Sequence, residues 1–95
     1  MERIHVYVTG LVQGVGFRYY AKKKASEAGV CGWVKNLSDG RVEIIAEGEE
    51  TAVEAFLQSL SGGRLGSHIE DMRKSREPYT GSFNHFYISY NEDFR

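Results

Sequence analysis

Apolar and polar residues alternate at the start of the chain, which predicts a strand with one buried face. Its apolar positions are Ile4, Val6 and Val8. A glycine-rich segment over residues 10–16 follows, and the apolar spacing then changes to that of a helix. The helical stripe consists of Phe17, Tyr20, Ala21, Lys24, Ala25 and Ala28. Gly29 is suited to the C-terminal cap of this helix.

The middle of the chain predicts two more strands and a second helix. The strands cover about residues 30–36 and 41–47, and the turn between them contains Asp39-Gly40, a pair that favours a hairpin. The second helix starts after Gly48 and ends at Ser61-Gly62-Gly63. Its buried stripe has the spacing i, i+3, i+4, i+7 and consists of Val53, Phe56, Leu57 and Leu60.

The last third of the chain carries a weaker pattern. A strand is expected within residues 69–77, before Pro78, and its basic run at residues 73–76 is typical of an exposed edge strand. Another strand is expected near residues 86–90, and residues 91–95 form a polar tail. The order βαββαβ predicts an α+β fold, a ferredoxin-like sandwich with two helices on one face of a four- or five-stranded antiparallel sheet.

Length and charge narrow the possible functions. A chain of 95 residues forms one domain, residues 1–95. Its 12 basic and 13 acidic residues leave a net charge of −1, which argues against a general nucleic-acid or membrane-surface binder. One cysteine forms no internal disulfide, and the chain has neither a zinc-ligand spacing nor a signal-peptide core at its start. We therefore expect a cytoplasmic protein, and a monomer, since no repeated apolar surface is evident.

The glycine-rich segment between the first strand and helix is the main candidate site. Glycines allow backbone N–H groups to surround a small anion, and a helix N-terminus adds free donors. Arg18 lies in the first helical turn, where a cation is slightly unfavourable unless an anion sits beside it. The segment lacks the Gly-Lys-Ser/Thr of a Walker A loop and the third glycine of a dinucleotide fingerprint. On these residues alone, a purely structural glycine turn stays open as the alternative.

Two segments resemble the signatures of the acylphosphatase family. The first covers residues 8–18, and the second covers residues 32–42 with Gly48 at the expected distance. The resemblance implies the ferredoxin-like fold and hydrolysis of acyl phosphates to carboxylate and phosphate, without a metal ion or cofactor. It also implies that Arg18 binds the phosphate and that Asn36 holds the attacking water. The backbone amides around the phosphoryl oxygens would be those of Gly14, Val15, Gly16 and Phe17.

The chemistry of these residue types agrees with that reading. An acyl phosphate is an activated anhydride, so positioning and charge stabilisation can be sufficient. The Asn36 amide does not titrate near pH 7 and can only orient water. The expected partner is a small acyl phosphate, and inorganic phosphate or sulfate could occupy the same site. The lysine run at residues 22–24 is interpreted as a solvated helix face that could also attract anionic substrates.

Two alternative functions, from other classes of protein, remain open. An RNA-binding module of the same fold needs exposed aromatic residues on its central strands, but residues 41–47 contain none and carry two glutamates. A non-catalytic anion-binding domain would not need Asn36. The polar segment at residues 64–84 departs from the family pattern, which leaves the fourth strand and the acyl side of the pocket undefined.

Overall fold

The computed structural model describes residues 1–90, and the predicted polar tail lies outside them. The two helices are α1 (Phe17–Ala28) and α2 (Glu50–Gly62). A short 3₁₀ turn, Gly66–His68, precedes the fourth strand. The strands are β1 (Glu2–Gly10), β2 (Cys31–Asn36), β3 (Val42–Gly48), β4 (Ile69–Glu77) and β5 (Phe86–Ile88).

The five strands form one sheet in the order β4-β1-β3-β2-β5. This architecture confirms the predicted ferredoxin-like α+β fold. The pairings of β1 with β3, β1 with β4 and β2 with β3 are antiparallel, as expected. The pairing of β2 with β5 is parallel, so the sheet is mixed and the prediction of a wholly antiparallel sheet is wrong at this pair. Periodicity indicates which positions are buried and not the direction of a strand. Neither helix is long and apolar enough to cross a membrane.

The core lies between the two helices and one face of the sheet. Val6, Val8 and Ile44 from the central strands are buried against Phe17 of α1 and Phe56 of α2. The apolar periodicity predicted Val6, Val8, Phe17 and Phe56 as buried positions, and the structure confirms them. The helices are also joined directly, because the Tyr20 hydroxyl donates to the Leu60 carbonyl oxygen over 2.6 Å.

The opposite face of the sheet is polar, yet part of it is buried. The side chain of Glu47 is 2% exposed and lies 3.1 Å from the Arg3 guanidinium. The segment after β4 covers this glutamate, because the Thr80 hydroxyl and the Gly81 N–H both donate to it. The alternation within β3 therefore separates an apolar face from a buried charged face, rather than from a solvated one.

Strand β4 is an edge strand, as the basic run predicted. It pairs with β1 on one side and ends the sheet on the other. The side chains of Arg73 and Arg76 are 84% and 71% exposed. Charged side chains on an open edge hinder the addition of a further strand.

Candidate active site

The pairing register brings the last residues of β1 and of β2 to the same end of the sheet. Both strands pair antiparallel with β3, so they run in the same direction. Val8 and Asn36 pair with the same residue, Val42, from its two sides. The loop that follows β1 therefore lies beside Asn36, although the two are far apart in sequence.

The loop between β1 and α1 presents free backbone donors. Gly14 and Gly16 have φ angles of 76° and 81°, in the left-handed region that favours glycine. Gly16 is the N-cap of α1, and no side chain of residues 1–90 caps the helix there. The Tyr20 backbone N–H donates to the Gly16 carbonyl oxygen over 3.0 Å, and this bond closes the first turn of the helix. The preceding N–H groups of the first turn are thus available to an anion.

Gln13 holds this loop against the hairpin that follows Asn36. Its side-chain amide donates to the carbonyl oxygens of Leu37 and Arg41, over 2.7 Å and 2.9 Å. The neighbouring Val12 is 1% exposed and anchors the loop in the core. No local sequence pattern pointed to a role for Gln13. Only its place within the first signature could have indicated one.

The loop, the first turn of α1 and the end of β2 enclose a cleft of about 200 Å³, which we call the cradle. It is lined by Val12, Gly14, Gly16, Phe17, Arg18, Tyr19 and Asn36. Five of the six predicted site residues therefore come together here. The sixth, Val15, is 36% exposed and does not line the cradle.

Asn36 lines the cradle at the end of β2. Its side-chain oxygen, Oδ1, is buried and has no hydrogen-bond partner among the described residues. A buried polar atom without a partner costs about 1–3 kcal/mol and is uncommon in native proteins. The Asn36 amide is therefore short of one hydrogen bond within the part of the chain that the structure describes.

Arg18 is half-buried and belongs to no ion pair within residues 1–90. Its guanidinium carbon lies 5.0 Å from the centroid of the Tyr90 ring. A hydrogen bond with Tyr19 raises the pKa of the Tyr90 phenol above its ordinary value, and the charge of Arg18 opposes that shift. The cation is therefore held at one side by a ring and remains open to an anion.

Tyr90 is, after Gln13, a second residue whose position beside the site no sequence pattern predicted. Ile88 pairs with Val34 in the parallel β2–β5 ladder, so the chain after β5 continues in the direction of Asn36. An antiparallel last strand would direct the chain away from this edge. The direction of this strand, which periodicity does not reveal, decides whether Tyr90 reaches Arg18.

The described residues contain no group of three or more His, Cys, Asp or Glu that could hold a metal ion. The described residues that line the cradle can supply instead backbone N–H groups, the Arg18 guanidinium, the Asn36 amide and the Tyr19 hydroxyl. Fold and site together define a small α+β protein with a cleft at one end of its sheet, where a glycine-rich loop and a helix N-terminus meet an arginine and an asparagine.

Comparisons with known proteins agree with this description. The family model described as acylphosphatase matches residues 4–88. Acylphosphatase of a Synechococcus strain is 49% identical over 79 residues, which cover 83% of this chain and 84% of the relative. Acylphosphatase of Syntrophus aciditrophicus is 44% identical over 92 residues, which cover 97% and 96% of the two chains.

A solved structure gives the same result in three dimensions. The crystal structure of acylphosphatase from Bacillus subtilis superimposes with a TM-score of 0.88 at 39% identity, covering 95% of this chain and 100% of the other. The chain belongs to the acylphosphatase family. It is accordingly a hydrolase, and the RNA-binding alternative is set aside.

Proposed function

We propose that this enzyme cleaves the carboxyl-phosphate anhydride of acyl phosphates with Arg18 and the loop amides as the phosphate site and Asn36 as the water site. The phosphoryl group would lie in the cradle, and water would attack phosphorus. A new bond forms between the water oxygen and phosphorus, and the bond from phosphorus to the acyl oxygen breaks. The products are phosphate and a carboxylate.

Charge stabilisation is the task of Arg18 and of the backbone amides from Gly14 to Arg18. A guanidinium and several N–H groups aimed at phosphoryl oxygens stabilise the charge that accumulates there during transfer. The planar guanidinium can donate two parallel hydrogen bonds to one phosphoryl group. The free N-terminus of α1 adds positive potential at the same place.

The single observation that carries the water site is that Asn36 lines the same cleft as Arg18. An amide oxygen accepts a hydrogen bond from water and thereby directs a lone pair of the water toward phosphorus. None of the residues that line the cradle is a carboxylate, histidine or cysteine. The water proton therefore goes to a phosphoryl oxygen or to solvent.

The leaving group needs little assistance. A carboxylate is a weak base, because its conjugate acid has a pKa of about 4. It can therefore depart without being protonated by the enzyme. Orientation and charge stabilisation are then sufficient, and we propose that the reaction needs neither metal ion nor cofactor.

The test is hydrolysis of benzoyl phosphate in the presence of EDTA. We expect Arg18→Ala and Asn36→Ala each to lower kcat/KM by roughly 10²–10⁴-fold while the variants stay folded. The matched controls are Arg73→Ala, an exposed arginine of β4, and Asn84→Ala, an exposed asparagine after β4. Both should keep full activity. An inactive, folded wild-type protein would overturn the proposal and leave the cradle as a binding site only.

Labelled water identifies the bond that breaks. Hydrolysis in H₂¹⁸O should place the label in the phosphate if water attacks phosphorus. Label in the carboxylate would mean attack at the acyl carbon, and the role proposed for Asn36 would then be wrong.

We further propose that residues 1–95 act as one domain and as a cytoplasmic monomer, and that inorganic phosphate or sulfate competes for the cradle. The single cysteine supports the cytoplasmic location. The charged side chains on the open edge of β4 support the monomer, because they hinder pairing with a second chain. Light scattering should give the monomer mass, and inorganic phosphate should inhibit competitively.

A further inference from the structure

A second cleft, of about 420 Å³, adjoins the cradle along α1, and we call it the basic cleft. It is lined by Gly16, Tyr19, Tyr20, Lys23, Lys24 and Arg64. Two of these residues, Gly16 and Tyr19, also line the cradle. The two clefts therefore adjoin each other at Gly16 and Tyr19.

The three cations of the basic cleft have no ion-pair partner among residues 1–90, which sets them apart from arginines elsewhere. Lys23, Lys24 and Arg64 contact no carboxylate within ion-pair distance, and Glu27 is the only acidic residue of α1. The described arginines away from both clefts each contact a carboxylate: Arg3, Arg41, Arg73 and Arg76. Three cationic side chains without an ion pair within residues 1–90 therefore line the cleft beside the cradle.

Packing between the two helices holds this cleft in place. The Lys24 ammonium lies 5.5 Å from the centroid of the Tyr20 ring, and the Tyr20 hydroxyl is bonded to Leu60 of α2. A Cβ atom at Gly63 would lie 2.4 Å from that hydroxyl, so the close approach requires a glycine there. Because Gly63 comes so near to α1, the next residue, Arg64, reaches the same cleft as the lysines.

We propose that the basic cleft binds a second anionic group at the far end of the acyl moiety. The preferred substrates are then acyl phosphates whose acyl chain ends in an oxyanion, either a carboxylate or a phosphate. This inference rests on the proposed function, because it assumes that the phosphoryl group occupies the cradle. A short neutral acyl group would leave the three cations uncompensated, whereas a terminal oxyanion would accept hydrogen bonds from them.

Two substrates of equal chain length test the preference. Succinyl phosphate and butyryl phosphate share a four-carbon acyl chain and differ in a terminal carboxylate against a methyl group. We expect kcat/KM to be at least about fivefold higher for succinyl phosphate, since each exposed pairing contributes roughly two- to fivefold. A third substrate with a terminal phosphonate distinguishes a site for carboxylates from one for phosphates.

The variants are compared by the ratio of kcat/KM for succinyl phosphate to kcat/KM for butyryl phosphate. A general loss of activity lowers both values equally and leaves this ratio unchanged. Lys23→Gln and Arg64→Gln should each lower the ratio of succinyl to butyryl phosphate by about two- to fivefold. The matched control is Lys74→Gln on β4, a lysine that also has no ion pair within residues 1–90 and lies outside the basic cleft. This variant should keep the wild-type ratio.

The outcomes separate this inference from the proposed function. If butyryl phosphate is hydrolysed and the wild-type ratio is near one, or if the variants leave the ratio unchanged, the basic cleft is not an acyl subsite and the inference is wrong. An equal drop in Lys74→Gln would mean general attraction by surface charge and would also overturn it. If wild-type protein hydrolyses none of the substrates, the proposed function fails, and this inference fails with it.

Discussion

The guanidinium of Arg18 is stacked on Tyr90, with 5.0 Å between the guanidinium carbon and the ring centroid. The two residues come from opposite ends of the chain and meet because β5 runs parallel to β2. A ring behind a guanidinium restricts its orientation without neutralising its charge. Tyr90 is therefore placed to direct Arg18 toward the cradle while leaving its hydrogen-bond donors free.

Removing the Tyr90 ring should weaken catalysis more than removing its hydroxyl. We expect Tyr90→Ala to lower kcat/KM for benzoyl phosphate by about two- to fivefold, the value of an exposed cation–π contact. Tyr90→Phe keeps the ring and loses the bond to Tyr19, so it should retain nearly full activity. Steady-state kinetics with both variants measures this. An equal loss in the two would assign the effect to the hydroxyl and not to the stacking.

Gln13 should control both stability and activity, because it joins the loop to the hairpin after Asn36. Gln13→Ala leaves the carbonyl oxygens of Leu37 and Arg41 without this donor. We expect the free energy of unfolding to fall by about 1–2 kcal/mol and kcat/KM to fall as the loop shifts. Urea unfolding and kinetics measure the two effects. Gln58→Ala, at an exposed position of α2, is the control and should change neither.

Alanine should have opposite effects at two glycines. Gly16 has φ near 81°, so Gly16→Ala meets no steric neighbour but is forced into the left-handed region, at about 1–2 kcal/mol. Gly62 is the last residue of α2, also has open space around it and has no positive φ. Gly62→Ala should therefore be neutral or stabilise by about 0.4–1 kcal/mol. Thermal unfolding of both variants measures the difference. Equal effects would contradict the conformational explanation.

Stability at acid pH should depend on Glu47. Burial alone would raise the pKa of this carboxyl, but hydrogen bonds from Thr80, Arg3 and Gly81 outweigh it and hold the pKa below its ordinary value of 4.5. Below about pH 4.5 the unfolded chain therefore takes up a proton that the folded protein does not. This contribution to stability is present above that pH and is lost as the pH falls through the lower pKa of the folded state.

The measurement is urea unfolding between pH 3 and pH 7. Glu47→Gln should be less stable at pH 7 by about 1–3 kcal/mol, the value of hydrogen bonds to a charged group, and its stability should fall less steeply below pH 4.5. Glu54→Gln, at an exposed site on α2, should follow the wild-type profile. If the free energy of unfolding falls equally with pH in wild type and in Glu47→Gln, this carboxyl does not govern the loss of stability at acid pH.

Local patterns predicted most of the fold. The strand around Val6, the helical stripe from Phe17 and the hairpin at Asp39-Gly40 depend on neighbouring residues, and their bounds agree with the structure to within one or two residues. The anion site could also be proposed locally, since the glycines and Arg18 are adjacent in the chain. The role suggested for Asn36 came from the resemblance, because asparagine before a turn is ordinary turn chemistry.

Other features depended on contacts between distant parts of the chain. The parallel pairing of β2 with β5, and with it the position of Tyr90, has no local signal, because periodicity reports burial and not strand direction. The same holds for Glu47, whose burial requires Thr80 and Gly81 to cross the sheet.

Sequence alone determined the elements, their order along the chain, and the side of the cradle that one continuous segment, the loop and the first turn of α1, supplies, because neighbours along the chain specify these. Tertiary structure decided what Gln13 and Tyr90 do, the burial of Glu47, and the meeting of Arg64 with α1. Each of these requires two segments far apart in sequence to pack at a defined register. Packing of the whole core, and not local preference, sets that register.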